Sequence, residues 1–215
     1  MEITPEKITE LKENEIFVFG SNYRGVHGAG AAKLAMNKFG AEPGVGVGPT
    51  GQCYALPTKD VEISTLSLDQ IRHGIEMLDR HIRAHPDKIF LITKIGCGLA
   101  GYTPKDIAPL FRYIAINCRN ITLPIEFWRE IDPYNTLAWE LKNICIKNNW
   151  GCDWEKGGVY LHLEVSEFIE ALRGKKGNAT DEAADVLFVL MSILSNYNIN
   201  INDVFTKLLT LRKTL

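Results

Sequence analysis

The chain has 215 residues, 46% of them apolar, and a formal net charge of −2. This length fits one large domain or two small ones, and the apolar fraction is sufficient for a core in each. The near-neutral charge gives no electrostatic support for nucleic acid or an anionic membrane as the main partner. We expect no membrane segment and no signal peptide, because no apolar run is long enough to span a bilayer and the N-terminus is charged.

The cysteines are odd in number and scattered, and no two of them form a C-x-x-C pair. This pattern predicts reduced thiols in a cytoplasmic protein rather than a disulfide framework or a zinc site. The five residues are Cys53, Cys97, Cys118, Cys145 and Cys152.

The first 131 residues alternate strand-like and helix-like segments, which is typical of an α/β layered domain. The helix over residues 67–84 is the clearest, because Ser67 and Gln70 match a capping box. Its apolar face carries Ile71, Ile75, Leu78 and Ile82. The other predicted helices cover residues 29–39 and begin at Thr103-Pro104, and the predicted strands cover residues 15–19, 52–57, 88–93 and 121–124.

Two glycine-rich loops each follow a predicted strand and lead into a helix. They lie in FVFGSNYRGVHGAGAAKLAMNKFG (residues 17–40) and IGCGLAGYTPKD (residues 95–106). Free N–H groups at a helix start attract phosphate, so the pair favours a diphosphate site at the carboxyl edge of the sheet. Either loop alone is equally consistent with tight-turn chemistry. GVGVGPTG (residues 44–51) imitates a dinucleotide fingerprint, but it precedes a strand and contains Pro49, so we interpret it as a loop.

The two loops resemble those of the macrodomain, an ADP-ribose-binding α/β fold, over about residues 1 to 130. The resemblance implies a macrodomain-like layered domain with a mixed sheet flanked by helices. Asn22 matches the asparagine of the family's first loop, HGAGAA its glycine-rich segment, and IGCGLAGY its second phosphate loop. By this resemblance Asn22 contacts a ribose, Tyr102 is available to stack, and His27 makes a polar contact rather than acting as a base. The implied ligand-binding residues are Gly20, Asn22, His27, Gly28, Ala29, Gly30, Gly96, Cys97, Gly98, Leu99, Gly101 and Tyr102.

The matching branch of macrodomains includes DarG and the terminal ADP-ribose protein glycohydrolase, in which a strand ends in a reactive lysine. The segment YALPTKD puts Lys59 at that position. The branch also carries an aspartate directly after I-G-C-G-L, where this chain has Ala100. Lys59 is therefore either a catalytic residue or an exposed loop cation. We expect ADP-ribose binding with little turnover.

After about residue 131 the pattern changes to helices, predicted at residues 134–149, 159–173, 181–197 and 201–215. Asn178 to Thr180 form a natural cap before the third helix, and Asn200 or Asn202 before the fourth. We place the domains at residues 1–131 and 132–215. Because four short helices bury little surface alone, we expect the helical domain to form a homodimer or a higher oligomer.

Four carboxylates in the helical part form two pairs at i, i+3 spacing: Glu164 with Glu167, and Glu182 with Asp185. This spacing puts both members of a pair on one side of a helix. Because the surrounding sequence is apolar, we expect all four acids to point into an apolar interior, where a carboxylate needs a partner or a metal. The pattern therefore favours a divalent cation held by oxygen ligands. The alternative is two solvated acidic faces.

The stretch LHLEVSEFIEALRGKKGNATDEAADVLFVLMSIL (residues 161–194) resembles the MazG-like nucleotide pyrophosphohydrolases, whose motif is E-x-x-E on one helix and E-x-x-D on the next. The resemblance implies that the four acids bind Mg²⁺, or Mn²⁺, and that the domain hydrolyses a nucleoside triphosphate to monophosphate and pyrophosphate. One of the glutamates, for example Glu167, could also accept the proton of the attacking water, and the sequence does not separate metal ligand from base. Family members usually carry a further Glu where this chain has Leu163. Candidate phosphate-neutralising cations are Lys175, Lys176, Lys207 and Arg212, each equally consistent with a solvated helix-end residue.

The resulting hypothesis is a macrodomain-like ADP-ribose-binding domain followed by a MazG-like pyrophosphohydrolase domain. Two other hypotheses stay open: an ADP-ribose reader that an inactive helical bundle dimerises, and an ADP-ribosyl hydrolase. In all three the partners are nucleotides, and nucleic acid enters only as an ADP-ribosylated substrate.

Overall fold

A computed structural model describes residues 1–175 and 177–211. The chain divides into two compact units, Met1–Ile131 and Asp132–Leu215. Two of the candidate cations, Lys176 and Arg212, lie outside the described residues.

The first unit is a five-stranded mixed sheet with helices on both faces, which confirms the α/β layered domain that the alternating pattern predicts. Its strand order is β2-β3-β1-β4-β5, with β3, β1, β4 and β5 parallel and β2 antiparallel to β3. The elements in chain order are β1 (Glu15–Asn22), α1 (Gly30–Lys38), β2 (Gly48–Thr50), β3 (Cys53–Lys59), α2 (Leu68–Ala84), β4 (Ile89–Ile92), α3 (Pro104–Asn117), β5 (Ile121–Thr122) and α4 (Ile125–Ile131).

The core of this unit lies on both faces of the sheet. On one face, α2 buries Ile71, Ile75, Leu78 and Ile82, and the predicted capping box of Ser67 and Gln70 is present. Alternation along β1 sends Val18 to this face, while Phe17 and Phe19 point to the other face and pack against α1.

Two elements of the first unit differ from the sequence prediction. The segment interpreted as a loop, residues 44–51, contains the short strand β2, which pairs with β3 at the edge of the sheet. An edge strand tolerates Pro49, because its missing N–H need not complete a ladder on both sides. Helix α4 has no sequence prediction, because its seven residues are too few to show a helical period.

The second unit consists, within its described residues, of α5 (Pro133–Lys147), α6 (Trp154–Leu172), α7 (Ala179–Asn196) and α8 (Ile201–Leu211). Helix α6 begins at Trp154, earlier than predicted, with the Asp153 side chain accepting a hydrogen bond from the Lys156 N–H at 2.7 Å. The sequence obscures this start because Gly157 and Gly158 are weak helix formers. Gly157 is buried where α6 meets Ile193 of α7, so this glycine permits close helix packing.

The asparagines before α7 and α8 act as predicted helix caps. The Asn178 side chain accepts a hydrogen bond from the Thr180 N–H at 2.8 Å. At α8, the Asn200 side chain accepts one from the Asn202 N–H at 2.9 Å, so Asn200 is the capping residue of the two candidates.

Among the described residues, no helix by itself has the length and apolar character needed to cross a membrane. Two consecutive helical segments, Ala179–Asn196 and Ile201–Thr210, have this length and apolar character only when taken together, and the chain bends by 113° between them.

Candidate active site

The α6–α7 pair brings three of the four predicted acids together. Carboxylate oxygens of Glu164, Glu167 and Glu182 all lie within 4.8 Å of one another. Glu164 and Glu167 are one turn apart on α6, and Glu182 comes from the first part of α7. The fourth acid, Asp185, lies one turn further along α7 and is outside this group of three in the described structure.

The acids are more exposed than their apolar surroundings in the sequence suggest. Glu164 and Glu182 are half-buried, whereas Glu167 and Asp185 are exposed. The prediction that all four acids point into an apolar interior is therefore wrong for these two. The apolar residues around them are themselves uncovered: Leu163 is 49% exposed and Leu187 is 56% exposed.

The electrostatics of the cluster centre on Glu164. Burial raises the pKa of its carboxyl, and the negative charges of Asp185, Glu167 and Glu182 raise it further. Asp185 is thus close enough to act on the cluster, although it lies outside the group of three. The arrangement concentrates negative charge that a bound cation would relieve.

The oxygen spacing fits a hard dication. At bond lengths of about 2.1 Å, ligand oxygens stand about 3.0 Å apart at adjacent positions around Mg²⁺ and about 4.2 Å apart at opposite positions, and the larger Ca²⁺ separates them further. Oxygens within 4.8 Å of one another could therefore reach one ion through side-chain rotation. An all-carboxylate donor set also suits Mg²⁺ or Mn²⁺ better than a soft metal.

The hairpin between α6 and α7 contacts the acid cluster directly. The Glu182 carboxylate occupies the space that a side chain at Gly177 would fill, and Gly177 has φ +80°. A second left-handed glycine, Gly174 with φ +67°, shapes the start of the turn. Gly177 is not among the predicted site residues, although a glycine directly before a helix cap is a recognisable turn signal.

Basic side chains lie at this hairpin. Arg173 and Lys175 are exposed, and neither has an ion-pair partner among the described residues. Another predicted cation, Lys207, is exposed on α8.

In the first unit, the two glycine-rich loops follow the neighbouring parallel strands β1 and β4. From β1 the chain continues through α1 to β3 on one side, and from β4 it continues through α3 to β5 on the other. Loops that leave adjacent strands in opposite directions open a crevice at their carboxyl ends, which is where α/β sheets bind ligands.

The first loop is held in shape by the loop over residues 42–47. The Gly44 N–H donates to the Gly25 carbonyl at 2.9 Å, and the Ser21 hydroxyl donates to the Gly46 carbonyl. A side chain on Gly25 would meet the Gly44 backbone, and one on Gly46 would meet the Asn22 carbonyl. Glycine is thus required at residues 25 and 46 for backbone packing rather than for ligand contact.

The polar residues predicted in the first loop are engaged within the protein. The Asn22 side chain donates to the Val26 carbonyl at 2.8 Å and accepts from the Val26 N–H at 3.0 Å. The His27 ring is buried, with Nε2 3.2 Å from the Glu42 carbonyl and its edge against Phe19. Its Nδ1 is buried without a hydrogen-bond partner in the described structure.

The segment from Gly28 to Gly30 is exposed and leads into α1. The N-cap residue, Ala29, provides no side-chain hydrogen bond, so the first-turn N–H groups keep their capacity for an external acceptor. Gly20 lies within β1, and a Cβ added at this glycine would be 3.8 Å from the backbone nitrogen of Gly96. The two loops therefore approach each other at this point.

The second loop is a compact turn. The Tyr102 N–H donates to the Gly96 carbonyl at 3.0 Å, and the Tyr102 hydroxyl donates to the Leu66 carbonyl at 2.7 Å. A side chain on Gly96 would meet Ile107, whereas Gly98 has open space around it. Leu99 is 76% exposed, and Gly101 has φ +81°.

Cys97 lies in this loop as a protonated thiol. Burial raises its pKa to about 11, with further contributions from the charges of Asp106 and Glu126. Its Sγ donates to the Ile95 carbonyl at 3.6 Å. A thiol with such a pKa is a poor nucleophile at neutral pH, so Cys97 is suited to contact rather than to covalent chemistry.

Lys59 is the last residue of β3, and its Nζ donates to the Ile63 carbonyl at 3.3 Å. Ile63 has φ +67°, a strained conformation for a β-branched residue. Ala100, at the position of the branch's aspartate, accepts a hydrogen bond from the Thr65 hydroxyl at 3.1 Å. Thr65, which the sequence analysis did not single out, thus connects the loops that follow β3 and β4.

The family model described as phosphoribosyl-ATP pyrophosphohydrolase matches residues 158–210. The match includes all four acids, the hairpin and most of α8. No curated protein and no solved structure matches the chain. The C-terminal part is therefore similar to nucleotide pyrophosphohydrolases, as the motif of the acids predicts. The family match does not extend to the first unit, whose resemblance to the macrodomain depends on its loop motifs.

Proposed function

We propose that the C-terminal unit hydrolyses a nucleoside triphosphate to the monophosphate and pyrophosphate. The observation that carries this proposal is the convergence of Glu164, Glu167 and Glu182 within 4.8 Å, inside the segment similar to pyrophosphohydrolases. These three acids, with Asp185 beside them, would hold Mg²⁺, or Mn²⁺ as the alternative. A divalent cation supplies neutralisation of the phosphate oxygens and activation of water.

The chain's own residues have separate tasks in this reaction. Water attacks the α-phosphorus, a new P–O bond forms, and the bond from that phosphorus to the oxygen bridging to the β-phosphorus breaks. Pyrophosphate leaves with the electron pair of that bond. Glu167 is the exposed member of the group of three, so we assign its carboxylate the role of accepting the proton from water. Gly177 keeps the Glu182 carboxylate in place by leaving it room.

A panel of canonical and modified nucleoside triphosphates, assayed with Mg²⁺ and with Mn²⁺, tests the proposal. Monophosphate and pyrophosphate are measured separately, and they should appear in equal amounts. Glu182→Gln should abolish turnover, while Glu155→Gln, which changes an exposed acid in the first turn of α6, should retain it. Absence of turnover across the panel with either metal would refute the proposed activity.

We further propose that the helical unit forms a homodimer. Its described residues bury few apolar side chains, namely Ala138, Cys145 and Ile201. Large apolar side chains on α6 and α8 are exposed instead, among them Val159 at 68% and Leu209 at 68%. Exposed apolar surface of this extent favours a self-complementary interface.

For the first unit we propose ADP-ribose binding at the crevice between β1 and β4. Support comes from the two loops that leave these strands in opposite directions, together with the uncapped start of α1. In the second loop, the N–H groups of Gly98, Leu99 and Ala100 have no hydrogen-bond partner among the described residues. They are therefore available to a diphosphate.

We propose a binding role, with little hydrolysis, for this crevice. Ala100 offers no carboxylate, and Lys59 donates to the carbonyl of Ile63 rather than to a neighbouring acid. Removal of ADP-ribose from a modified protein or DNA, lost in Lys59→Ala, would instead support the ADP-ribosyl hydrolase hypothesis.

A further inference from the structure

The acid cluster lies between two chemically different surfaces of the α6–α7 pair. Helices α6 and α7 are antiparallel, since Gly157 meets Ile193 near one end and the hairpin joins residues 172 and 179 at the other. The acids lie toward the hairpin end. The two directions away from them along α6 therefore lead to the hairpin and to the N-terminal part of the helix.

The N-terminal direction is apolar. Tyr160 is one turn before Glu164, and Leu163 is one turn before Glu167, so both share the face that carries the acids. Tyr160 is 46% exposed and Leu163 is 49% exposed. An exposed aromatic ring next to an exposed aliphatic side chain can cover the flat face of a nucleobase.

The hairpin direction is cationic. Arg173 and Lys175 are exposed there without an ion-pair partner among the described residues. The N-terminus of α7 is at the same end, and helix N-termini favour anions. Gly177 joins this hairpin to the cluster through its contact with Glu182. Two charges oppose an anion here, the exposed carboxylates of Glu170 and of Asp181 in the first turn of α7.

We propose that a nucleoside triphosphate lies along the α6–α7 pair in one direction, with its base on Tyr160 and Leu163 and its β- and γ-phosphates at the hairpin, where Arg173 and Lys175 lie. The path from Tyr160 to Arg173 is about 20 Å along the helix axis, enough for an extended nucleoside triphosphate. The α-phosphate then lies at the acids, between the two surfaces. The inference rests on the proposed function, and it assigns Tyr160 the stacking contact with the base.

Binding of the two products to the full-length chain tests this direction without any need for turnover. Titration calorimetry with Mn²⁺ present measures a nucleoside monophosphate and inorganic pyrophosphate separately. Tyr160→Ala should weaken monophosphate binding about 10-fold, because base stacking is worth about 1–3 kcal/mol, and should leave pyrophosphate binding unchanged. The Arg173→Gln, Lys175→Gln double variant should do the reverse, weakening pyrophosphate binding about 10-fold.

Matched controls keep the test specific. Ile169→Ala changes an exposed apolar residue nine positions after Tyr160, on the opposite side of α6, and Lys147→Gln removes an exposed cation from the end of α5. Neither control should alter the binding of either product. Glu170→Gln should strengthen pyrophosphate binding, because it removes an opposing charge. Unchanged Mn²⁺ affinity shows that each variant keeps its acid cluster.

The outcomes separate the two proposals. If the unaltered chain binds both products but the variants show the opposite pattern, or no difference, the direction is wrong and the site stands. If the unaltered chain binds neither product with Mn²⁺ present, the pyrophosphohydrolase function itself is wrong, and the direction falls with it.

Discussion

The two units differ in how far each buries its own apolar residues. In Met1–Ile131, large side chains such as Phe19, Phe111 and Phe127 are fully buried on the faces of the sheet. In the described part of the second unit, aromatic residues such as Trp154 remain 70% exposed. The first unit therefore has a complete core, whereas the second has exposed apolar surface and a cluster of acids toward one end of a helix pair.

Core truncation should give the largest effect and should separate the units most clearly. Phe127→Ala should destabilise the first unit by about 3–5 kcal/mol, because Phe127 is 0% exposed and its removal leaves a cavity. Leu209→Ala, at a 68% exposed position, should change the stability of the monomeric chain by about 0.5 kcal/mol or less. Chemical denaturation at low protein concentration measures both, and equal losses would contradict the comparison.

A charge at the second glycine loop should change ligand binding and leave the fold intact. Gly98→Glu should weaken ADP-ribose binding about 100-fold or more, because like charges brought together cost several kcal/mol. Gly98→Ala should bind normally, because a Cβ at this position meets nothing within 4 Å. Calorimetry with ADP-ribose checks both variants. Equal affinity of the unaltered chain and both variants for ADP-ribose would place the binding site away from Gly98.

Protein concentration should affect the stability of the second unit and not that of the first. For a dimer, a tenfold increase in concentration favours the associated state by about 1.4 kcal/mol, so its melting temperature should rise by several degrees. Light scattering at micromolar concentration should show the dimer directly. A monomer there, with concentration-independent melting, would refute the proposed interface.

Removal of one acid should have the smallest effect, and its sign is informative. Without metal, Glu164→Gln should stabilise the helical unit by about 0.5 kcal/mol, because each like-charge pair one turn apart costs about 0.2–0.5 kcal/mol. With Mg²⁺ the unaltered chain should be the more stable of the two, because the variant lacks one of the metal-binding carboxylates. Thermal melts in chelator and in Mg²⁺ measure both, and the first unit should be unaffected. A destabilised variant in chelator would mean that Glu164 has a favourable partner in the apo chain.

The same acid sets a pH dependence. The pKa of Glu164 is raised in the folded chain, so the folded state takes up a proton at a pH where the unfolded state is still ionised. Lowering the pH from 7 toward this folded pKa should therefore stabilise the metal-free helical unit. Glu164→Gln should lack this gain.

The sequence by itself determined those features that depend on local pattern. The alternation of strands and helices, the Ser67 capping box and the Asn178 cap are all present, because each depends on residues within one or two turns. The motif of acids also sufficed to predict the similarity of residues 158–210 to pyrophosphohydrolases.

Tertiary structure decided the rest, because contacts between distant segments have no local signature. Pairing with β3 turned part of a glycine-rich loop into β2, and contact with Ile193 explains a glycine within α6. The exposure of Glu167 and Asp185 likewise depends on what covers α6 and α7, and the apolar sequence around them does not determine it. Burial is a property of the packed neighbours, so the spacing of the acids was sufficient to pair them but not to bury them.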